Sequence, residues 1–137
     1  MVTLHPLTPQ LLLALTALAV LVIDSIDPDS RNSVLLAGTA TVGALATLGV
    51  SAFFLLSGTG QASTGGAITL FDGQIVVDGM ALFFTVIFAS VTAMVAVASS
   101  DYISGHDHQG EYYALLLLAA TGMSLMAVSN SLATVFV

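Results

Sequence analysis

The residues of this chain best suited to chemistry are His106, Asp107 and His108, with Asp101 and Glu111 close by. Two imidazoles and a carboxylate are a donor set for a zinc-type ion. A closed site needs a second anchored ligand pair, and this glycine-flanked segment offers none. It reads as a solvated turn. A hydroxyl nucleophile needs a base beside it. The Ser, Thr and Asn residues of the apolar stretches have no His or carboxylate neighbour. Thr85 and Ser124 are therefore expected to bond their own helix backbones. Gly58, Gly60, Gly65 and Gly66 follow no strand and read as a linker, not a phosphate loop. The sequence has no cysteine, which excludes disulfides, thiolate catalysis and iron–sulfur ligation. No catalytic, cofactor-binding or metal residue is assigned, and no cofactor is expected on this chain.

The elements that would position such groups are apolar and long. Charged side chains fall into three short gaps: Asp24, Asp27, Asp29 and Arg31; then Asp72 and Asp78; then Asp101, Asp107 and Glu111. Between and around them lie four uncharged blocks, residues 7–23, 34–56, 79–98 and 112–128. Crossing a bilayer core takes about 20 apolar helical residues. The pattern predicts one all-α transmembrane domain over residues 1–137, with four spanning helices and the start of a fifth from Leu132. Only 7% of the 137 residues are charged, against roughly 25% in a soluble domain. Ion transport through a bilayer usually leaves buried Asp, Glu, Lys or His as waypoints. These spans contain none, so the chain taken alone reads as a scaffold and not a pump.

The net charge is −7, from eight acids against Arg31 alone. That balance does not suit nucleic acid, whose phosphates attract Lys and Arg. An acidic, lysine-free polar surface fits concentrated salt, where repulsion is screened, and predicts a halophilic source. Residues 1–9 lack the positive region of a signal peptide, so residues 7–23 are expected to be a retained span. Arg31 casts the one positive-inside vote, placing the first gap in the cytoplasm and the N-terminus outside a cell (plasma) membrane.

Thr8-Pro9 predicts a helix start, and Pro28 breaks the helix that follows. Residues 7–23 are short for a span, which predicts a thinned bilayer or help from polar flanking turns. Between the second and third spans, Ile68–Phe71 and Gln74–Val77 flank Asp72-Gly73, a type I′ turn pair. They predict a short β-hairpin, with an irregular loop as the alternative. A lone hairpin is marginal, so it should lean on another loop or a neighbouring subunit. Asp78 is placed to cap the third helix, and Glu111 to meet the positive end of the fourth.

In the third span Ala81, Thr85, Ala89, Thr92 and Ala96 form one small-residue stripe, while Phe83, Phe84, Ile87, Val91 and Met94 lie largely elsewhere. Ala120, Ser124 and Ala127, with Gly122 nearby, form a similar stripe in the fourth. Gly38, Gly43 and Gly49 do so less regularly in the second. Small stripes let helices approach closely in lipid. They predict packing within the bundle, with partner subunits as a further option. Met94, Met123 and Met126 read as ordinary lipid-side or core filling.

Glu111–Phe136, EYYALLLLAATGMSLMAVSNSLATVF, resembles the fourth span and start of the fifth in subunit N of the proton-pumping NADH-quinone oxidoreductase, respiratory complex I. Leu70-Phe71-Asp72-Gly73, Val77-Asp78-Gly79-Met80-Ala81-Leu82-Phe83-Phe84 and Ser100-Asp101-Tyr102-Ile103 fit the same family's hairpin, third span and following loop. The resemblance is specific from about Leu70 to Val137, and positional before that. It implies the N-terminal portion of an antiporter-like membrane subunit, with an outside N-terminus and an outer-face hairpin that links neighbouring subunits. It also implies lipid and other membrane subunits as partners, with quinone reduced in the complex and coupled to proton transport. The family's pumping residues begin just past this chain, so none is carried over. Glu111, Tyr112 and Tyr113 match family positions and look like a helix-start motif. In a halophilic archaeon the electron donor need not be NADH. The alternatives are a non-catalytic structural or assembly membrane protein, and part of a multisubunit cation/proton antiporter.

Overall fold

The computed structural model describes residues 7–26, 33–57, 68–70, 75–103 and 108–129. Among them are four helices, α1 (Thr8–Ile26), α2 (Ser33–Leu56), α3 (Gly79–Ile103) and α4 (Gln109–Val128). Two strands, β1 (Ile68–Leu70) and β2 (Ile75–Val77), lie between α2 and α3. The helices have 19, 24, 25 and 20 residues. At about 1.5 Å per residue they reach about 28 to 38 Å, against a hydrocarbon core of about 30 Å. All four are long and apolar enough to cross a membrane. The all-α transmembrane expectation holds, and the chain is a multi-pass membrane protein.

The helices outrun the uncharged blocks. α1 takes in Asp24, α3 takes in Asp101, and α4 starts ahead of Glu111. A carboxylate in a terminal turn reaches water without interrupting the backbone hydrogen-bond ladder, so a charge does not end a helix. A proline does: α1 stops two residues before Pro28, in keeping with the bias of the pre-proline residue away from helix. α1 reaches 19 residues by adding the polar flank Asp24-Ser25 and Ile26 to the apolar block, in line with the flanking-turn alternative. The fifth span expected from Leu132 lies outside the described residues.

The bundle runs up and down, with α1 against α4 and α2, α2 against α3, and α3 against α4. Only α2 and α4 also meet across the diagonal to any extent. Antiparallel order puts the start of α1, the end of α2, the start of α3 and the end of α4 at one end, beside the hairpin. The interior is made largely of small residues: Ala17, Ala40, Ala44, Ala89, Ala96 and Ala120 are all sealed. In lipid the bulky side chains gain nothing by turning inward, and close backbone approach supplies the attraction. Phe83, Phe84, Ile87, Val91 and Met94 accordingly face outward, opposite the buried stripe Ala81, Thr85, Ala89, Thr92 and Ala96. Met123 and Met126 are on the lipid side too.

Not every glycine marks a contact. A Cβ on Gly43 would strike the Thr16 side chain, so α1 and α2 touch there. Gly38, Gly49 and Gly122 meet nothing within 4 Å, which corrects the expectation that they mark close packing within the bundle. Their residue type permits approach, but the neighbouring helix is elsewhere.

The hairpin forms as an antiparallel ladder pairing Ile68 with Val77, Thr69 with Val76 and Leu70 with Ile75. The Asp72-Gly73 turn itself lies outside the described residues. The hairpin leans on its own bundle: Val77 is sealed in a cluster with Leu7, Ala81, Leu82 and Val128, flanked by Phe54 and Leu55. Directly after it, the Ala81 N–H donates to Asp78 Oδ1 at 2.7 Å, the expected helix cap. Losing such a cap costs about 1 kcal/mol. Asp78→Ala should lower the melting temperature of the detergent-purified protein, and Asp78→Asn should restore most of the loss. Equal losses in the two variants would show that the cap is not what holds this helix start.

Candidate functional site

Two places gather polar side chains. The first is the end of the bundle opposite the hairpin, where Asp24 closes α1, Asp101 closes α3, and His108 and Glu111 open α4. Asp24 lies against Gly110, so tightly that a Cβ on Gly110 would fall on the Asp24 side chain. This contact sets its carboxylate beside the first turn of α4, where free N–H groups and the helix dipole favour a negative charge. His108 Nδ1 lies 3.4 Å from Glu111 Oε1, with both side chains mostly in solvent. An exposed pair of this kind contributes little. His106 and Asp107 lie outside the described residues. Among those described, no three His, Asp or Glu side chains converge as metal ligands.

The Asp24–Gly110 contact carries a prediction. Gly→Ala inside a helix ordinarily gains up to about 1 kcal/mol. At Gly110 the added methyl must push α1 away from α4, and overpacking of this kind costs about 1–3 kcal/mol. Gly110→Ala should therefore lower the melting temperature, while Gly122→Ala, in open space, should raise it slightly. If both variants shift the same way, the two helix ends do not meet as described.

The second place is inside the bundle. Gln10, Thr47, Ser51, Thr85, Thr92, Thr121 and Ser124 are all buried. Most of these hydroxyls are spent on their own helices, as expected for Thr85 and Ser124. Thr85 Oγ1 donates to the Ala81 carbonyl and Ser124 Oγ to the Thr121 carbonyl, each at 2.8 Å. Thr47, Thr92 and Thr121 donate to Gly43, Phe88 and Leu117 in the same way. Among the described residues, acids and histidine occur only in the helix ends or just beyond them. The buried threonines and Ser124 are bonded to backbone carbonyls of their own helices, an arrangement that holds shape rather than performing chemistry.

Tyr113 lies near the start of α4 with Glu111 and Tyr112, and it is also an interior residue. Its ring is fully buried in the main core with Leu13, Ala17, Leu36, Ala96 and Leu117. Its hydroxyl lies beside Ser99 but makes no hydrogen bond. Neighbouring Tyr112 is packed against the same core from outside, edge to face with Tyr113 at 5.3 Å between ring centres. The signal available in the sequence was the spacing of Tyr113, Leu117, Ala120 and Ser124, one inward face of α4. Gln10 and Ser51 also went unmarked, because a lone amide or hydroxyl in an apolar run carries no motif.

An open apolar groove of about 470 Å³ runs between α1 and α2, lined by residues including Thr16, Gly38, Thr39 and Val42. Thr16 and Thr39 donate to the Leu13 and Leu36 carbonyls, leaving the groove no free donor.

No protein-family model matches the sequence. No solved structure matches it either. Curated relatives do, along nearly the whole chain. Subunit N of the F420H2 dehydrogenase of Methanosarcina mazei is 35% identical over 133 residues, 95% of this chain and 26% of the relative. Subunit N of the NADH-quinone oxidoreductase of Moorella thermoacetica is 32% identical over 137 residues, 99% of this chain and 26% of the relative. A second subunit N of the NADH-quinone oxidoreductase of Koribacter versatilis is 31% identical over 138 residues, again 26% of the relative. The chain is similar to subunit N of an F420H2 dehydrogenase and of NADH-quinone oxidoreductases. It spans about a quarter of the length of these relatives. The match covers α1 and α2 as well as the later helices, where the motifs quoted above made the first two spans positional only.

Proposed function

We propose that the chain is a membrane-arm segment of a subunit-N-type protein in a proton-translocating, quinone-reducing respiratory complex, where it serves as scaffold and interface. The observation that carries this reading is the similarity to subunits N over about 95% of the chain, at 31–35% identity. A bundle with no acid, base or imidazole in the middle of its described helices suits a frame beside a proton route, since a route itself leaves titratable waypoints. The relatives are named for two different electron donors, F420H2 and NADH. A segment common to both is not where the donor is chosen, and quinone belongs to the complex rather than to this chain. In this reading the N-terminus and the hairpin face outward from the cell membrane, and the hairpin meets a neighbouring subunit. The acidic, lysine-free composition fits a halophilic archaeal source.

An affinity tag placed on this segment in its native gene tests the reading. The tagged product should be recovered from detergent-solubilised membranes with other multi-pass subunits and with quinone-reducing activity. Disrupting the gene should abolish quinone-dependent proton uptake in inverted vesicles. Recovery with subunits of a cation/proton antiporter instead, or as a free protein with vesicle proton uptake unchanged, would overturn it.

A further inference from the structure

Four of the buried polar residues share one depth in the bundle. The cluster at the hairpin end contains Leu7 of the chain entering α1, Ala81 of α3 and Val128 of α4, with Phe54 of α2 packed on it. One turn further in along each helix stands a buried polar residue: Gln10 three residues after Leu7, Ser51 three before Phe54, Thr85 four after Ala81, Ser124 four before Val128. Three or four residues is one helical turn, about 5 Å of depth. An independent contact gives the same level. Asp24 meets Gly110 in the antiparallel pair α1 and α4, and counting fourteen residues from each arrives at Gln10 and Ser124. Beyond this level lies the main apolar core of Leu13, Ala17, Val20, Leu117 and Ala120. The bundle therefore carries a polar level with one residue from each helix, capped at the hairpin end by an apolar cluster, while Thr47, Thr92 and Thr121 lie deeper, each bonded to its own helix.

The layer's hydrogen bonds do not balance within the protein. The Gln10 amide nitrogen, the Gln10 amide oxygen and the Ser51 hydroxyl are buried and have no partner. Gln10 is 2% exposed and Ser51 0%. Thr85 and Ser124 have spent their hydrogens on their own helices, so their oxygens remain only as acceptors. The layer thus offers unmade donors on α1 and α2 and free acceptors on all four helices. An orphaned buried polar group is costly, and a buried water with two to four polar partners is the usual remedy.

We propose that this layer is a binding site for internal water, bridging the Gln10 amide and the Ser51 hydroxyl to the Thr85 and Ser124 oxygens. The hydroxyls one turn deeper on α2 and α4, Thr47 and Thr121, are bonded to their own helices, so the water is structural. Electron cryomicroscopy of the intact membrane assembly, at a resolution that shows ordered water, tests this. The expected map has at least one isolated peak about 2.7–3.2 Å from both the Gln10 amide and Ser51 Oγ. Ser51→Ala should weaken or remove that peak with the helices in place. Direct contact between Gln10 and Ser51, a side chain of another subunit filling the layer, or an empty layer in the wild-type map would each overturn the proposal. So would a peak that Ser51→Ala leaves unchanged.

Discussion

Leu117→Arg should block assembly of the bundle in two separable steps. Leu117 lies near the middle of α4 and is fully buried. An arginine at a span centre costs about 2.5–3.5 kcal/mol in membrane insertion, roughly a 60- to 300-fold loss in the inserted ratio at about 1.4 kcal/mol per decade. The helix that does insert must then place a guanidinium among Leu13, Ala17 and Tyr113, where an unpaired charge costs several kcal/mol more. Leu118→Arg is the control, because it has the same depth but faces outward, 46% exposed. An insertion assay should penalise the two variants alike. Thermal unfolding of the inserted fraction should then separate them, with only Leu117→Arg failing to show a cooperative transition. Equal melting curves would mean that Leu117 faces lipid.

Tyr113→Ala should be the most damaging neutral substitution. Among the described residues Tyr113 is the largest side chain fully sealed, and its ring joins α4 to α1, α2 and α3 in the main core. Truncating a buried aromatic to alanine costs about 3–5 kcal/mol, through lost contacts and the cavity left behind. Tyr113→Phe keeps the ring and removes a hydroxyl that has no hydrogen bond, so it should be neutral or raise the melting temperature. A large loss in Tyr113→Phe would show that the hydroxyl is engaged with Ser99, and that the residue acts through a polar bond rather than through packing.

Much of the fold was legible because a bilayer punishes exceptions. Charges confined to short gaps, with about twenty apolar residues between them, leave a membrane helix as the one economical state for each block. The stripe from Ala81 to Ala96 read correctly as an inward face, because small and bulky residues segregate on opposite sides of a lipid-embedded helix. Asp78 was readable as a cap from its position one residue before α3. Helix ends were less legible. Asp24 and Asp101 looked like boundaries but sit inside terminal turns, since the end of a span is set by water and by breakers such as Pro28, not by the first charge.

The partnership of residues distant in the chain was not legible at all. Gly43 makes a contact and Gly38 does not, although both are glycines in the same apolar run. Only the crossing point of α1 over α2 distinguishes them. Tyr112 and Tyr113 are adjacent and chemically identical, and the rotation of α4 within the bundle puts one in the core and leaves the other at its edge.

The amino-acid order alone determined a membrane-spanning chain with no titratable group in mid-span, because hydropathy and charge are local properties that each segment carries with it. The packed bundle decided which small residues touch and that Gly110 must stay bare beneath Asp24. It also decided that Gln10, Ser51, Thr85 and Ser124 share one level. These are relations between helices, and helix rotation and depth are chosen by the sum of all contacts rather than by any one stretch of sequence.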